Sequence, residues 1–164
     1  MHCARTLLLG LLVAPLAGCG LAYKASLQGE QYVVYCDEGG EYLESVQDEI
    51  DEIYATYQDL FQIDKESLGT TRIYLDGREH RVVDHSYSPN LLGYYVPFFN
   101  TIRIDTRPAW AGEGEALRQV LLHEIAHHFF VTKYPEVAEH CWLNEGLAGN
   151  LEVSLSDGEH HEFP

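Results

Sequence analysis

The segment Leu121-Leu-His-Glu-Ile-Ala-His-His-Phe-Phe130 sets two imidazoles, His123 and His127, and the carboxylate of Glu124 in the middle of an apolar run. Burying ionisable groups costs free energy unless they are paired or bound to a cation, so their placement asks for a chemical reason. Residues four apart on a helix project from the same face, so both imidazoles can converge on one metal ion while Glu124 points roughly a quarter-turn away. Two neutral imidazoles holding Zn²⁺, with a carboxylate beside an activated water, is the chemistry that the HExxH spacing permits. A catalytic zinc also needs a third protein ligand and an open fourth position. The stretch Trp142-Leu-Asn-Glu-Gly-Leu-Ala148 supplies a candidate in Glu145, set among the apolar positions Leu143, Leu147 and Leu151 of a further helix. Bedded in an apolar face, Glu145 would cost free energy unless paired or bound to a cation, which makes it the candidate third ligand; the alternative is a solvated helix residue.

These side chains need helices to carry them. Leu117, Val120, Leu121, Ile125 and Phe129 recur as one buried side of a long helix, with Pro108, Glu113 and Glu115 at its approach and first turn. Upstream, Tyr42, Val46, Ile50, Ile53, Tyr57 and Leu60 alternate with acidic residues and predict an amphipathic helix of about five turns. Gln31 to Cys36 and Thr71 to Leu75 read as strands. Leu92 to Val96 and Thr101 to Asp105, split by Pro97-Phe-Phe-Asn100, read as a hairpin. Asp76 is a candidate cap for a brief helical segment through Arg81 to Asp84, and Ser88-Pro-Asn90 marks a loop. The order of elements predicts an α+β domain: a small, twisted, mainly antiparallel sheet packed against helices, with the HExxH motif on a long helix.

A chain of 164 residues suits one domain. With 10 Lys and Arg against 26 Asp and Glu, its formal charge of −16 repels phosphate backbones, so nucleic acid is not an expected partner. The first residues read as a secretion signal: Arg5, then an apolar run from Leu7 to Ala17 too short for a permanent transmembrane helix. Its end, Leu16-Ala17-Gly18-Cys19, resembles the bacterial lipobox, which implies cleavage after residue 18 and acyl chains on Cys19. The expected organisation is a signal peptide at 1–18, a lipid-anchored tether at 19–30 and the domain at 31–164. The expected location is the cell envelope, on the periplasmic side of the outer membrane if the source is Gram-negative, since Gly20 follows the anchor. Cys36 and Cys141 then remain, either as a disulfide or as two unpaired thiols.

HEIAHHF followed by WLNEGLA resembles the gluzincin metallopeptidases, and most closely the bacterial peptidase MA-like domains. The resemblance spans about residues 31 to 155, with specific motifs only between Leu121 and Glu152. It implies a zincin-like fold, with His123, His127 and Glu145 as zinc ligands and Glu124 as general base. The implied activity is hydrolysis of a peptide bond in a peptide or protein substrate by metal-activated water. It further implies that an edge strand before the catalytic helix holds the substrate backbone; Thr101 to Asp105 is the candidate, the alternative being an ordinary edge guarded by Arg103 and Arg107. Glu152 is placed either to hydrogen-bond a ligand imidazole or on the surface, and His128 either behind the ligands or on the surface. His140 is expected to be exposed. Gluzincins also bring in a Tyr or His to stabilise the oxyanion; Tyr94, Tyr95, His160 and His161 are the candidates, none of them singled out. The alternative function is an envelope lipoprotein that binds zinc as a structural or binding module and catalyses nothing.

Overall fold

The computed structural model describes residues 23–37, 40–76, 92–106 and 114–156. The signal and Cys19, the segment from Arg81 to Asp84, the Ser88–Asn90 loop, Arg107, Pro108, Glu113, His160 and His161 lie outside them. The protein is α+β, a five-stranded mixed sheet packed against four helices. The strands are β1 (Ala25–Gln28), β2 (Tyr32–Cys36), β3 (Thr71–Asp76), β4 (Gly93–Val96) and β5 (Thr101–Asp105). The helices are α1 (Gly40–Phe61), α2 (Lys65–Leu68), α3 (Gly114–Lys133) and α4 (Cys141–Ser156), with 3₁₀ turns at Pro97–Phe99 and Pro135–Glu139.

The sheet runs in the order β1-β2-β3-β5-β4. Its two outer pairings, β1 with β2 and β4 with β5, are antiparallel, whereas β2 with β3 and β3 with β5 are parallel. The expectation of a mainly antiparallel sheet is therefore corrected. The reason is α1: a helix between β2 and β3 carries the chain back along the sheet, so the next strand enters in the same direction. Within the segment expected to be a tether, Ala25–Gln28 pairs with β2 in register from Ala25 opposite Cys36 to Gln28 opposite Val33. Four residues without a β-branched run give little strand signal by themselves, and pairing to β2 supplies the order.

The hairpin forms as read, with Val96 opposite Thr101 and Asn100 turning the chain in the left-handed region at φ 44°. Its position in the sheet corrects a second expectation, since β5 is paired on both sides and β4 is the edge among the described strands. Ile102 and Ile104 are fully buried, which suits an inner strand. β4 is short, begins with Gly93 and runs into Pro97, which lacks an N–H; these are edge features.

Helices α1 and α3 lie on the same side of the sheet, and α4 packs on α3. Leu43, Val46, Ile50, Ile53, Tyr54, Tyr57 and Phe61 form the buried stripe of α1, so Phe61 takes the place expected for Leu60, which is exposed. Phe61 earns that place through an aromatic cluster: its ring lies 5.7 Å from Phe129 and 5.0 Å from Phe130, and Tyr57 lies 5.4 Å from Phe129. Such pairs add about 0.5–1.5 kcal/mol each beyond the area they bury. Buried Tyr57 donates to the Leu122 carbonyl at 2.9 Å, and Arg118 of α3 reaches Glu49 and Glu52 of α1. These contacts fix α3 just where its histidines begin. No described helix is long and apolar enough to cross a membrane.

Candidate metal centre

Helix α3 is enclosed on nearly every side. From Leu121 to Phe130 each residue is buried except His123, which is half-buried. The sheet and α1 cover its apolar side, and α4 covers the side that carries the histidines. The turn at Pro135–Glu139 reverses the chain, and the His140 carbonyl accepts from the N–H groups of Leu143 and Asn144 to start α4. Running back along α3, α4 brings Asn144 and Glu145 beside His127 and Glu152 beside His123.

His123 and His127 stand with ring centroids 4.8 Å apart. Glu145 Oε2 is 3.2 Å from His123 Nε2, and Oε1 is 3.6 Å from His127 Nε2. Ligand atoms from the three residues lie within 4.8 Å of one another. A tetrahedral zinc with ligands near 2.1 Å places them about 3.4 Å apart, between the two contacts measured. The outer ring nitrogens confirm the direction of the inner ones. His123 Nδ1 is 3.0 Å from Glu152 Oε2 and His127 Nδ1 is 3.0 Å from Asn144 Oδ1. Each Nδ1 faces an oxygen acceptor, an arrangement that favours the tautomer with the proton on Nδ1 and the Nε2 lone pair toward Glu145. Two lone pairs and a carboxylate facing one another are repulsive until a cation sits among them. Burial also lowers the pKa of His127, which favours the neutral form that binds metal. The three residues therefore form a donor set that could hold a metal ion.

One argument from sequence is overturned here. Glu145 was expected within the apolar face of α4, yet 64% of its side chain is accessible. Ala148 and Leu151 are the buried residues of that face, and Glu145 lies off it. The cost of burying a carboxylate therefore gives no reason for Glu145; its convergence with two imidazoles does. Exposure at this corner leaves the site open on one side, as an open coordination position requires.

Glu124 lies about a quarter-turn round α3 from the histidines, 5% exposed and with its Cγ and Oε1 against Gly93 of β4. Burial, and then the charges of Glu145 and Glu152, raises its carboxyl pKa to about 8. Its Oε2 has no hydrogen-bond partner among the described residues. His128 is buried rather than superficial, with Nδ1 3.3 Å from the Tyr95 hydroxyl and its ring 5.6 Å from that of Phe129. Burial drives its pKa down to about 4. The Tyr95 hydroxyl in turn donates to Asn100 Oδ1 at 3.3 Å, and Asn100 also accepts from Thr71 Oγ1. Tyr95 is therefore committed to this chain of hydrogen bonds, with its pKa pushed up to about 12 by burial. Tyr94 points to the opposite face of the sheet by strand alternation. Neither tyrosine is placed as the oxyanion donor. His140 is exposed, and no disulfide joins Cys36, buried on β2, to Cys141, exposed at the start of α4.

The sequence reading missed Asn144, Gly93 and Asn100. Asn144 carried a faint signal, being the polar neighbour that shares a helix turn with Glu145. An isolated glycine opening an aromatic strand signals a close backbone approach, and Gly93 had that signature. Asn100 was legible only as a turn residue.

No protein family, curated protein or solved structure matches the chain.

Proposed function

We propose that this protein is a zinc-dependent peptidase of the gluzincin type, held at the cell envelope by a lipid on Cys19. The observation that carries the reading is the convergence of two Nε2 lone pairs and one carboxylate, with each Nδ1 tied to an acceptor that orients it. The likeness of HEIAHHF and WLNEGLA to the gluzincin motifs supports the same assignment: His123, His127 and Glu145 hold the ion, and Glu124 is the general base. When bound, the ion polarises the scissile carbonyl and acidifies water at the open position. Glu124 takes a proton from the attacking water and returns it to the leaving amine as the C–N bond breaks. Its buried position excludes bulk water from that transfer, and a dication nearby offsets the rise in its pKa, so the carboxylate is available as a base near neutrality. Glu152 and Asn144 hold the two imidazoles in the metal-binding tautomer. The free side of β4, which no described strand pairs, is the edge available to a substrate backbone in extended form.

A second reading has one observation behind it. The Tyr95 hydroxyl, a candidate oxyanion donor, is engaged by Asn100 and His128, which suits an envelope lipoprotein that binds zinc and catalyses nothing. Metal analysis of the purified protein, with digestion of a peptide library by wild type and Glu124→Gln, separates the two. Stoichiometric zinc in both proteins with cleavage only by wild type supports the peptidase. Zinc without cleavage in either supports the binding module, and absence of zinc removes both.

A further inference from the structure

Strand β4 meets the Glu124 side chain at a glycine. An ideal Cβ at Gly93 would stand 2.9 Å from Glu124 Cγ, 2.9 Å from Glu124 Oε1 and 2.9 Å from Val120 Cγ1. Carbon atoms in ordinary contact sit about 3.5–4.0 Å apart, so no side chain fits between β4 and this turn of α3. Gly93 is not among the residues with positive φ, so space and not backbone conformation demands a glycine. The rest of the strand, Tyr-Tyr-Val, consists of strong strand formers, and a glycine there costs stability unless close approach offsets it. Two residues further on, the Tyr95 hydroxyl contacts His128 Nδ1, so β4 is tied to α3 at the next turn.

We propose that Gly93 is a positioning residue for Glu124: the bare backbone of β4 is the wall that confines the carboxylate beside His123 and His127. The inference rests on the reading of Glu124 as general base and adds a residue that touches neither metal ligand. The wall acts by excluded volume. Any β-carbon at 93 must displace the Glu124 carboxylate, Val120 or the strand, and the Glu124 side chain is the most easily rotated of the three. His123 and His127 face α4, which carries Glu145, and are untouched by that displacement.

The test has two arms on the full chain. In the first, Gly93→Ala keeps zinc affinity at the wild-type value, measured by competition with a chelator. A misplaced catalytic group costs roughly tenfold to hundredfold, so kcat on a cleaved peptide falls by that factor with little change in KM. Gly40→Ala, at a site where a Cβ meets nothing within 4 Å, leaves kcat unchanged. In the second arm, the loss of Tm caused by Gly93→Ala is measured in wild type and in Glu124→Ala, where both contacted Glu124 atoms are gone. Coupling of neighbouring residues predicts that most of the loss disappears in the second background. If Gly93→Ala alone does not fold, folding of the double variant is the same result. An unchanged kcat, zinc lost together with activity, or an equal penalty in both backgrounds overturns the proposal. A wild-type protein that cleaves nothing removes the peptidase reading alone, and the stability comparison then decides the Gly93 contact by itself.

Discussion

His127 and His128 are neighbours in the chain with opposite surroundings. The first faces α4, where its Nδ1 meets Asn144 and its Nε2 points to Glu145 at the open corner of the molecule. The second faces β4, where its ring is enclosed by Tyr54, Tyr95 and Phe129 and its Nε2 has no hydrogen-bond partner among the described residues. Burial lowers the pKa of both. What separates them is the second nitrogen: in His127 it joins a group of donors that a cation can satisfy, and in His128 it ends among apolar atoms. The α3–α4 side of the helix is thus built to bind, and the α3–β4 side to hold position. Glu124 lies between the two, a quarter-turn from the histidines with its side chain against β4, which is why its confinement by Gly93 matters.

The largest effect that would break this comparison is in metal content. His127→Ala is expected to abolish stoichiometric zinc, whereas His128→Phe is expected to retain it; elemental analysis after dialysis reads both, and equal zinc in the two variants would erase the distinction. Next comes the pH dependence of the metal-free protein. In the folded chain Glu124 titrates near pH 8 instead of 4.5, so between those values the folded state keeps a proton that the unfolded state has released. Its stability contribution is present below pH 4.5 and is lost as pH rises through 8. Metal-free Glu124→Gln should therefore exceed wild type by a few kcal/mol at pH 8, with the gap closing toward pH 4.5, as followed by urea unfolding.

Removing Asn144 tests whether the outer nitrogens matter. Asn144→Ala should weaken zinc about 10- to 100-fold without abolishing it, because orienting partners typically contribute that much; an unchanged dissociation constant would leave His127 oriented by packing alone. The smallest effect is expected at His128. Its pKa near 4 in the fold, against 6.5 unfolded, means that wild type loses stability as pH falls through that interval. At pH 5 this comes to about 2 kcal/mol, less about 1 kcal/mol for the hydrogen bond to Tyr95, so His128→Phe should be more stable than wild type by about 1 kcal/mol there. A lower stability for the variant at pH 5 would show the Tyr95 contact to be the stronger term.

The two long helices were legible because apolar residues at spacings of three and four leave a mark within a single segment, as Val46, Ile50, Ile53 and Tyr57 do. The hairpin was legible from Pro97 and Asn100. The site was legible in part: the likeness of its motifs singled out four residues, and three of them meet. The argument offered for the third, that Glu145 is bedded in an apolar face, was wrong even though the residue arrives where it was expected. The misreading of β5 as an edge has a similar origin, since alternation within a strand does not say which neighbour lies beyond it.

By itself the sequence determined that His123 and His127 share one face of a helix, because a 3.6-residue period places residues four apart together whatever surrounds them. It also determined the excess of negative charge and the amphipathic character of α1. Only the tertiary structure decided that β4 lies outermost, that Glu145 meets the imidazoles from the solvent side, that Asn144 and Glu152 set their tautomers, and that Glu124 is walled in by Gly93. Each of these depends on segments that are far apart in the chain and adjacent only after α4 folds back on α3 and β4 closes on its other side. Local spacing encodes which side chains share a face; packing decides what that face meets.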